Sequence, residues 1–275
     1  METVIGLGNA GCKVASLFKR YQQYKVITID SQKHDDSTIV IPRKDTTEQY
    51  EQTFPNLQQL AEVDTEVLLV VGGSGKISGA SLKLLQQVKN NQINVLYLYP
   101  DKEFLNDTSL KQHKVAFGVL QEYARSGMFK RLFIVSSAML EEMVGDVPVL
   151  EHVNAINNAI VSALHSINFF EHVPPQFSSL NTPRDSARIV TIGVYDLQSD
   201  TMQEFFPLTA AEDVCYYFGI NEEMLKTDGK LFKNIKQKML QKSSESCKVS
   251  YAIYSTPHEQ NYCFVQSFTR SIQST

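Results

Sequence analysis

The sequence predicts an α/β protein that has a parallel, doubly wound sheet, a long central helix and a smaller α+β domain after it. Apolar strands alternate with helices in the first half of the chain, and two glycine-rich loops each connect a strand to a helix. Apolar residues then recur every three or four positions over residues 149–170, which predicts one amphipathic helix of about six turns. We therefore expect a domain over 1–148, a central helix over 149–171 and a second domain over 172–275.

The first half contains six predicted strands and several predicted helices. The strands are expected at residues 4–7, 26–29, 38–41, 66–71, 93–99 and 131–135. Beyond the helix that follows the first loop, helices are expected at residues 46–61, 80–89 and 109–126. The unbroken apolar run at 66–71 is typical of a strand that is covered on both faces. Right-handed crossovers would place the carboxyl ends of these strands, and so both glycine-rich loops, on one rim of the sheet.

The second half begins after Pro174 and Pro175, which end the long helix. A polar loop over 176–186 follows, and the remaining elements are a strand at 187–197, helices at 210–218 and 229–241, and strands at 247–255 and 262–269. The last helix is basic, with lysines at positions 230, 233, 236, 238 and 242. We interpret this as a solvated face, with contact to an acidic partner or DNA as the alternative.

The composition limits the class of protein. The 275 residues are 43% hydrophobic and carry a net charge of -4, which argues against a disordered chain or a general nucleic-acid coat. No apolar run reaches the ~18 residues that span a bilayer, and no signal peptide is recognisable, so we expect a cytoplasmic protein without a membrane partner. The cysteines lack CxxC spacing and the histidines lack HxxxH spacing, so no metal ligand is predicted.

The first glycine-rich loop matches the dinucleotide fingerprint. Gly6, Gly8 and Gly11 form GxGxxG between a strand and a helix, and Asp30 ends the second strand about 20 residues later. In that interpretation Asp30 binds the ribose hydroxyls. A Rossmann-type oxidoreductase that uses NAD or FAD is therefore one candidate function.

The second glycine-rich loop favours a different nucleotide. Residues 72–79 read GGSGKISG and lead into a helix, whose first backbone amides favour anions. An ordinary P-loop is excluded, because Val70 stands where the first glycine is required and Ile77 follows Lys76. Two such loops on one rim can hold a chain of phosphates between them.

Four stretches together resemble the tubulin/FtsZ superfamily, and the resemblance covers nearly the whole chain. GNAGCKV at 8–14 resembles the first nucleotide loop, ITIDSQ at 27–32 resembles the NTDxQ stretch, and GSGKISG at 73–79 aligns with the signature GGGTGTG. VLEHVNAINN at 149–158 follows the FtsZ pattern LLDAFGAAND position for position.

This resemblance implies that the protein binds GTP or GDP, with Mg2+ accompanying GTP. In the register of the central helix, Asn157 takes the place of the asparagine that contacts guanine. The other implied nucleotide-binding residues lie in the two loops: Gly8, Asn9, Ala10, Gly11, Cys12, Lys13, Gly72, Gly73, Ser74, Gly75, Lys76 and Ser78.

The chain departs from the family pattern in its catalytic loop and in its glycine signature. In residues 180–185, Asn181 fits the pattern, Pro183 stands where an aspartate is expected, and Asp185 is the nearest acid. The resemblance implies that Asn181 and Asp185 enter the site of a neighbouring subunit, where the acid positions the attacking water. The signature is altered by Lys76 and Ile77, and the loop that senses the γ-phosphate is shortened to residues 42–47. A GTPase is therefore one expectation, and a family member that binds nucleotide without hydrolysis, as a structural or regulatory protein, is another.

The resemblance also implies self-assembly. Subunits of this family stack head to tail, and a heterologous contact of this kind produces open filaments. Short relatives without a C-terminal tail include plasmid and phage proteins that segregate or position DNA, so a DNA-linked adaptor is a further implied partner.

Overall fold

The computed structural model describes residues 2–274. The chain divides into two units: one holds the residues up to Val161 together with those from Ile272 on, and the other holds Ser162–Ser271. The last described residues return to the first unit, where the backbone of Gln273 and the side chain of Gln121 exchange two hydrogen bonds.

The first unit is a parallel, doubly wound sheet, which confirms the predicted fold class. Its strands are β1 (Glu2–Leu7), β2 (Tyr24–Asp30), β3 (Thr38–Val40), β4 (Glu66–Gly72), β5 (Gln92–Tyr99) and β6 (Arg131–Ser136). They lie in the order β3-β2-β1-β4-β5-β6, and every pair is parallel. The helices are α1 (Gly8–Leu17), α2 (Thr47–Thr53), α3 (Ser81–Gln87), α4 (Asp107–Arg125) and α5 (Ser137–Val144).

The central strands of this sheet are apolar because both faces are covered. Val4 in β1 pairs with Val26 in β2 on one side and with Leu68 in β4 on the other. Val67, Leu69 and Val70 of β4 are fully buried. Burial on both faces is what the unbroken apolar run predicts.

Two predicted helices of the first unit are shorter than expected. The helix expected over 46–61 ends at Thr53, because Pro55 forces the preceding Phe54 into an extended conformation (φ -61°, ψ 125°). A short 3-10 turn over Gln58–Leu60 is all that follows it. The helix expected over 80–89 begins as a 3-10 helix over Lys76–Ala80 and becomes α-helical as α3.

Helix α6 (Val149–Glu171) is the predicted long helix, and it contributes to both units. Its apolar residues Ile156, Ile160, Leu164 and Ile167 are buried. Their spacing of three and four residues keeps them on one face of the helix.

The second unit is an α+β arrangement. Its strands are β7 (Phe177–Ser179), β8 (Ile189–Asp196), β9 (Thr201–Glu204), β10 (Asp213–Asn221), β11 (Lys248–Thr256) and β12 (Tyr262–Thr269), and its further helices are α7 (Glu222–Thr227) and α8 (Leu231–Lys242). The strand order is β8-β12-β10-β11-β7, with β9 paired to β8. Leu231, Ile235 and Met239 of α8 join the apolar core, which also contains Phe218 and Val265.

The prediction of a helix over 210–218 is wrong, because residues 213–218 form the first part of strand β10. Val214, Tyr216, Tyr217, Phe218 and Ile220 are β-branched or aromatic, and such residues favour strands. β10 pairs in parallel with β11 and antiparallel with β12, and all but one of its residues are buried. The strand is apolar on both faces, so it shows no alternation that could have distinguished it from a buried helix.

None of the helices among residues 2–274 combines the length and the apolar character that crossing a bilayer requires.

Candidate functional site

A cleft of about 320 Å³ opens in the first unit where β1, β4, β5 and β6 end. Its lining comes from the ends of β4, β5 and β6, from the segments that follow the strands, including α1 and α5, and from α6: Asn9, Ala10, Lys13, Gly72, Gly73, Ser74, Leu98, Pro100, Val135, Ser137, Leu140, Glu141, His152, Val153, Ile156, Asn157 and Ile160. The strand order reverses direction between β1 and β4, and open α/β sheets bind their ligands at such a switch point.

The first loop presents the beginning of helix α1 to the cleft. Gly8 starts the helix with φ +72°, a conformation that favours glycine. The preceding Leu7 has no side-chain group that could cap the helix, so the amides of the first turn lack a side-chain acceptor. Asn9 and Ala10 are exposed and line the cleft. This arrangement is suited to an anion.

The second loop contributes Gly72, Gly73 and Ser74. A Cβ atom on Gly73 would lie 1.9 Å from the hydroxyl of Tyr97 and 2.9 Å from Nδ1 of His113, so only glycine fits at this position. Tyr97 and His113 are fully buried, and their Oη and Nδ1 atoms are 2.8 Å apart. The backbone of the loop therefore rests directly on this hydrogen-bonded pair.

His113 is held neutral in an apolar environment. Its ring stacks on Phe117 and meets the ring of Tyr99 edge to face. Burial, reinforced by the nearby charges of Lys102 and Lys114, lowers the pKa of His113 to about 4. Within the described chain, its Nε2 atom is buried without a hydrogen-bond partner.

Helix α6 places only one of two adjacent asparagines in the cleft. Asn157 lines it, whereas the Oδ1 of Asn158 accepts a hydrogen bond of 2.8 Å from Nη1 of Arg20. The structure thus separates a side chain that is free to meet a ligand from a neighbour that is engaged within the protein.

Of the thirteen predicted nucleotide-binding residues, seven line the cleft: Asn9, Ala10, Lys13, Gly72, Gly73, Ser74 and Asn157. The other six are Gly8, Gly11, Cys12, Gly75, Lys76 and Ser78. Gly8, Gly11 and Cys12 are on the buried side of α1, and Gly8 packs against the side chain of Ile77.

The other three residues belong to the end of the second loop, which turns away from the cleft. Lys76 and Ser78 line a different cavity of about 480 Å³ between α2 and α4. Lys76 and Ser78 lie away from the cleft because the chain enters a 3-10 helix at Lys76, directly after Gly75.

The contribution of β6 and α5 to the cleft was not predicted from the sequence. Ser137, Leu140 and Glu141 follow the carboxyl end of β6, and His152 lies at the beginning of α6. The signal was available, because β6 was predicted as a parallel strand of the same sheet and its carboxyl end must lie on the same rim.

Asp30 is not among the residues that line the cleft. It is 6% exposed, and its two carboxylate oxygens are engaged within the protein. Oδ1 accepts a hydrogen bond from the backbone of Ser31, and Oδ2 lies 2.6 Å from Nε2 of His34. The carboxylate that would bind the ribose of a dinucleotide is thus engaged with other groups of the protein.

The predicted catalytic loop lies in the second unit, where Asn181 and Asp185 are both exposed. Arg184 anchors the loop: its Nη1 lies 3.0 Å from Oε2 of Glu212, and its backbone N donates to Oδ2 of Asp213. The loop is therefore tied to the beginning of β10 while its acid faces solvent.

Comparison with known proteins identifies the fold. No family model matches the sequence, and no curated protein matches it. TubZ from Bacillus thuringiensis serovar israelensis, in a GTPγS-form protofilament, matches the structure with a TM-score of 0.73 and 16% identity over 97% of this chain and 86% of TubZ. The chain has a tubulin/FtsZ-like fold.

Two further structures support the tubulin/FtsZ-like fold. FtsZ from M. jannaschii matches with a TM-score of 0.70 and 11% identity over 98% of this chain and 88% of FtsZ. CetZ2 from Haloferax volcanii, as a GTPγS-bound protofilament, matches with a TM-score of 0.70 and 14% identity over 98% of this chain and 94% of CetZ2.

Proposed function

We propose that this tubulin/FtsZ-like protein binds GTP or GDP in the cleft at the sheet rim and assembles head to tail into filaments. The observation that carries the proposal is that both glycine-rich loops and Asn157 line one cleft at the switch point of the sheet. TubZ, which has the same fold, is known as protofilaments in GTPγS and GDP forms.

Each part of the cleft suits one part of a guanine nucleotide. The uncapped amides at the beginning of α1 and the backbone of Gly72–Ser74 suit the phosphates. The side-chain amide of Asn157 can donate to and accept from the guanine edge. Ser74, Ser137 and Glu141 offer oxygen atoms of the type that Mg2+ takes, and the ion would neutralise phosphate charge when GTP is bound.

The arrangement of Asp30 favours a guanine nucleotide over a dinucleotide. An NAD or FAD enzyme needs this acid at the ribose, and here both of its oxygens are engaged with Ser31 and His34. Titration calorimetry with GTP, GDP and NAD separates the two. We expect guanine nucleotides to bind and NAD not to compete, and the reverse result would replace this proposal with the oxidoreductase.

The role of Asn157 can be tested against its neighbour. Replacing Asn157 with Ala should weaken GDP binding by about 1–3 kcal/mol, because a guanine contact is lost and a buried polar group on the base is left without a partner. Asn158→Ala is the matched control, since Asn158 binds Arg20 instead. Equal losses of GDP affinity in the two variants, measured by calorimetry, would move the guanine site away from α6.

Hydrolysis is proposed to require the loop that carries Asn181 and Asp185. Both residues are exposed on the second unit, so a neighbouring subunit can receive them. The Asp185 carboxylate would orient the attacking water, since phosphoryl transfer depends on orientation and electrostatics. Phosphate release should be lost in Asp185→Ala while GDP affinity is kept. Negligible release by the unmodified protein would support the alternative of a structural or regulatory family member without hydrolysis.

The proposed partner is a second copy of this chain, and the protein would act as a cytoplasmic filament. Electron microscopy of the purified protein with GTP, with GDP and without nucleotide tests assembly directly. The implied DNA-linked adaptor gains no support from helix α8. Lys238 of this helix donates to the carbonyl of Leu197, and Lys242 pairs with Asp200.

A further inference from the structure

Three metal-ligating side chains meet at the end of β2, away from the residues that line the cleft. They are Cys12 of α1, Asp30 at the end of β2 and His34 in the following turn. The Cys12 sulfur, a carboxylate oxygen of Asp30 and a ring nitrogen of His34 all lie within 4.8 Å of one another. Thiolate, imidazole and carboxylate are the three ligand types that zinc takes in proteins.

The carboxylate and the imidazole are already held in place. Asp30 receives a hydrogen bond of 2.6 Å from the backbone of Ser31 on Oδ1, which leaves Oδ2 directed at Nε2 of His34. The backbone N of His34 donates to Oγ1 of Thr38, which fixes the turn that carries the histidine. Such supporting hydrogen bonds orient metal ligands and are part of a working site.

The surroundings of the thiol differ from those of the other two donors. Cys12 is 1% exposed, and its sulfur lies 3.4 Å and 3.5 Å from the carbonyl oxygens of Gly6 and Ile29. The side chain of His34, in contrast, is 21% exposed, so an ion can approach the cluster from solvent on this side. Two lysines near this turn are paired with acids: Lys19 with Asp35 at 2.7 Å and Lys33 with Asp36 at 2.6 Å.

We propose that Cys12, Asp30 and His34 form a zinc site with three protein ligands and a water molecule in the fourth position. On binding, the Cys12 thiol gives its proton to solvent and ligates as thiolate, His34 ligates through Nε2, and Asp30 ligates through its carboxylate. The ion would link helix α1, which begins at the candidate phosphate loop, to the turn after β2. This site does not depend on the proposed nucleotide.

Cobalt is the probe for this site, because Co2+ replaces zinc and absorbs light. Addition of Co2+ to the full chain should produce a thiolate-to-cobalt charge-transfer band that added Zn2+ removes. Cys12→Ser should abolish the band. His34→Gln keeps a polar side chain that can still donate to Asp30, and it should weaken Co2+ binding at least tenfold.

Matched substitutions outside the cluster serve as controls. Cys247→Ser removes a half-buried free thiol and His172→Gln removes an exposed imidazole, and both variants should keep the band and the affinity of the unmodified protein. Absence of a charge-transfer band at saturating Co2+ would overturn the site. The site would also be overturned by a band that survives in Cys12→Ser, or by unchanged Co2+ affinity in His34→Gln.

Discussion

Gly73 shows how a single missing side chain shapes the candidate phosphate loop. The loop can approach the sheet closely because no Cβ atom separates its backbone from the hydroxyl of Tyr97. Gly75, two residues later, has open space around it, with the nearest atom of Ile77 at 3.9 Å. A side chain is thus excluded at position 73 by close contact, whereas position 75 has room for one.

We expect Gly73→Ala to be destabilising and Gly75→Ala to be tolerated. The methyl group at position 73 would overlap a fully buried tyrosine, and overpacking of this kind costs about 1–3 kcal/mol. The loop would also be displaced, so GDP affinity should fall with stability. Urea unfolding and calorimetry measure the two effects. A Gly75→Ala loss equal to that of Gly73→Ala would contradict the close-approach argument.

His113 should make the stability of the protein depend on pH. In the folded state its pKa is lowered to about 4 by burial, whereas the unfolded chain takes up a proton near the ordinary value of 6.5. Between these values the unfolded state binds more protons, so the free energy of unfolding falls as the pH drops from 6.5 towards 4. At about pH 5 the loss from this one group is about 2 kcal/mol.

Urea unfolding at pH 7 and pH 5 tests this. His113→Gln should show a smaller drop in stability between the two pH values than the unmodified protein, by about 2 kcal/mol. His172→Gln, a change at an exposed histidine, should keep the full drop. An identical drop in His113→Gln and the unmodified protein would show that other groups govern the acid sensitivity.

Among the larger elements, the loop over 180–188 depends on one arginine. The side chain of Arg184 is 36% exposed, while its partners Glu212 and Asp213 are 12% and 8% exposed. Arg270 also contacts Glu212, at 3.2 Å. Loss of Arg184 would leave the Asp213 carboxylate buried without its cation and would release the loop that carries Asp185.

Arg184→Met should therefore lower the free energy of unfolding by about 1–3 kcal/mol and speed hydrogen exchange in residues 180–186. Lys226→Met removes the exposed ion pairs with Glu222 and Glu223 in the same unit and should leave the free energy of unfolding nearly unchanged. Hydrogen exchange followed by mass spectrometry measures the loop. Unchanged exchange in Arg184→Met would mean that the loop is held by contacts other than this ion pair.

Elements whose pattern is local were predictable from the sequence, and elements decided by tertiary context were not. The long helix α6 was expected at 149–170 and spans Val149–Glu171, because its apolar spacing is unambiguous. Strand β10 was mistaken for a helix, because a strand buried on both faces has no alternation. Pro55 marks the end of α2 in the sequence, because the residue before a proline avoids the helical conformation, and the helix predicted over 46–61 ran past it.

The candidate site was predictable only in part, because the sequence indicates which rim of the sheet a loop lies on but not the path that the loop takes. The strand–loop–helix rule locates the loops at one rim, and both loops reach the cleft. This rule does not determine the path of a loop beyond the strand. The sequence therefore did not reveal that Lys76 and Ser78 line a different cavity. The contact between Cys12, Asp30 and His34 was also hidden, because their separation in the sequence matches no ligand spacing.

For the chain as a whole, the beginning of α6 offers a surface suited to assembly. Val149 and Leu150 are 89% and 91% exposed, and they directly precede His152 and Val153, which line the cleft. Adjacent large apolar side chains left in solvent mark interaction surfaces. In a head-to-tail filament, the next subunit would cover the nucleotide and these residues together.

Leu150→Glu should therefore block assembly and leave GDP affinity unchanged. Burying the leucine in a contact contributes about 1.5–3 kcal/mol, and an unpaired carboxylate in its place opposes the contact. Light scattering with GTP should show a critical concentration at least tenfold higher, the equivalent of about 1.4 kcal/mol. Val115→Glu places the same charge at a residue that is 67% exposed in the middle of α4 and does not line the cleft, and this variant should assemble normally. If Leu150→Glu polymerised at the concentration of the unmodified protein, the subunit contact would have to lie away from the beginning of α6.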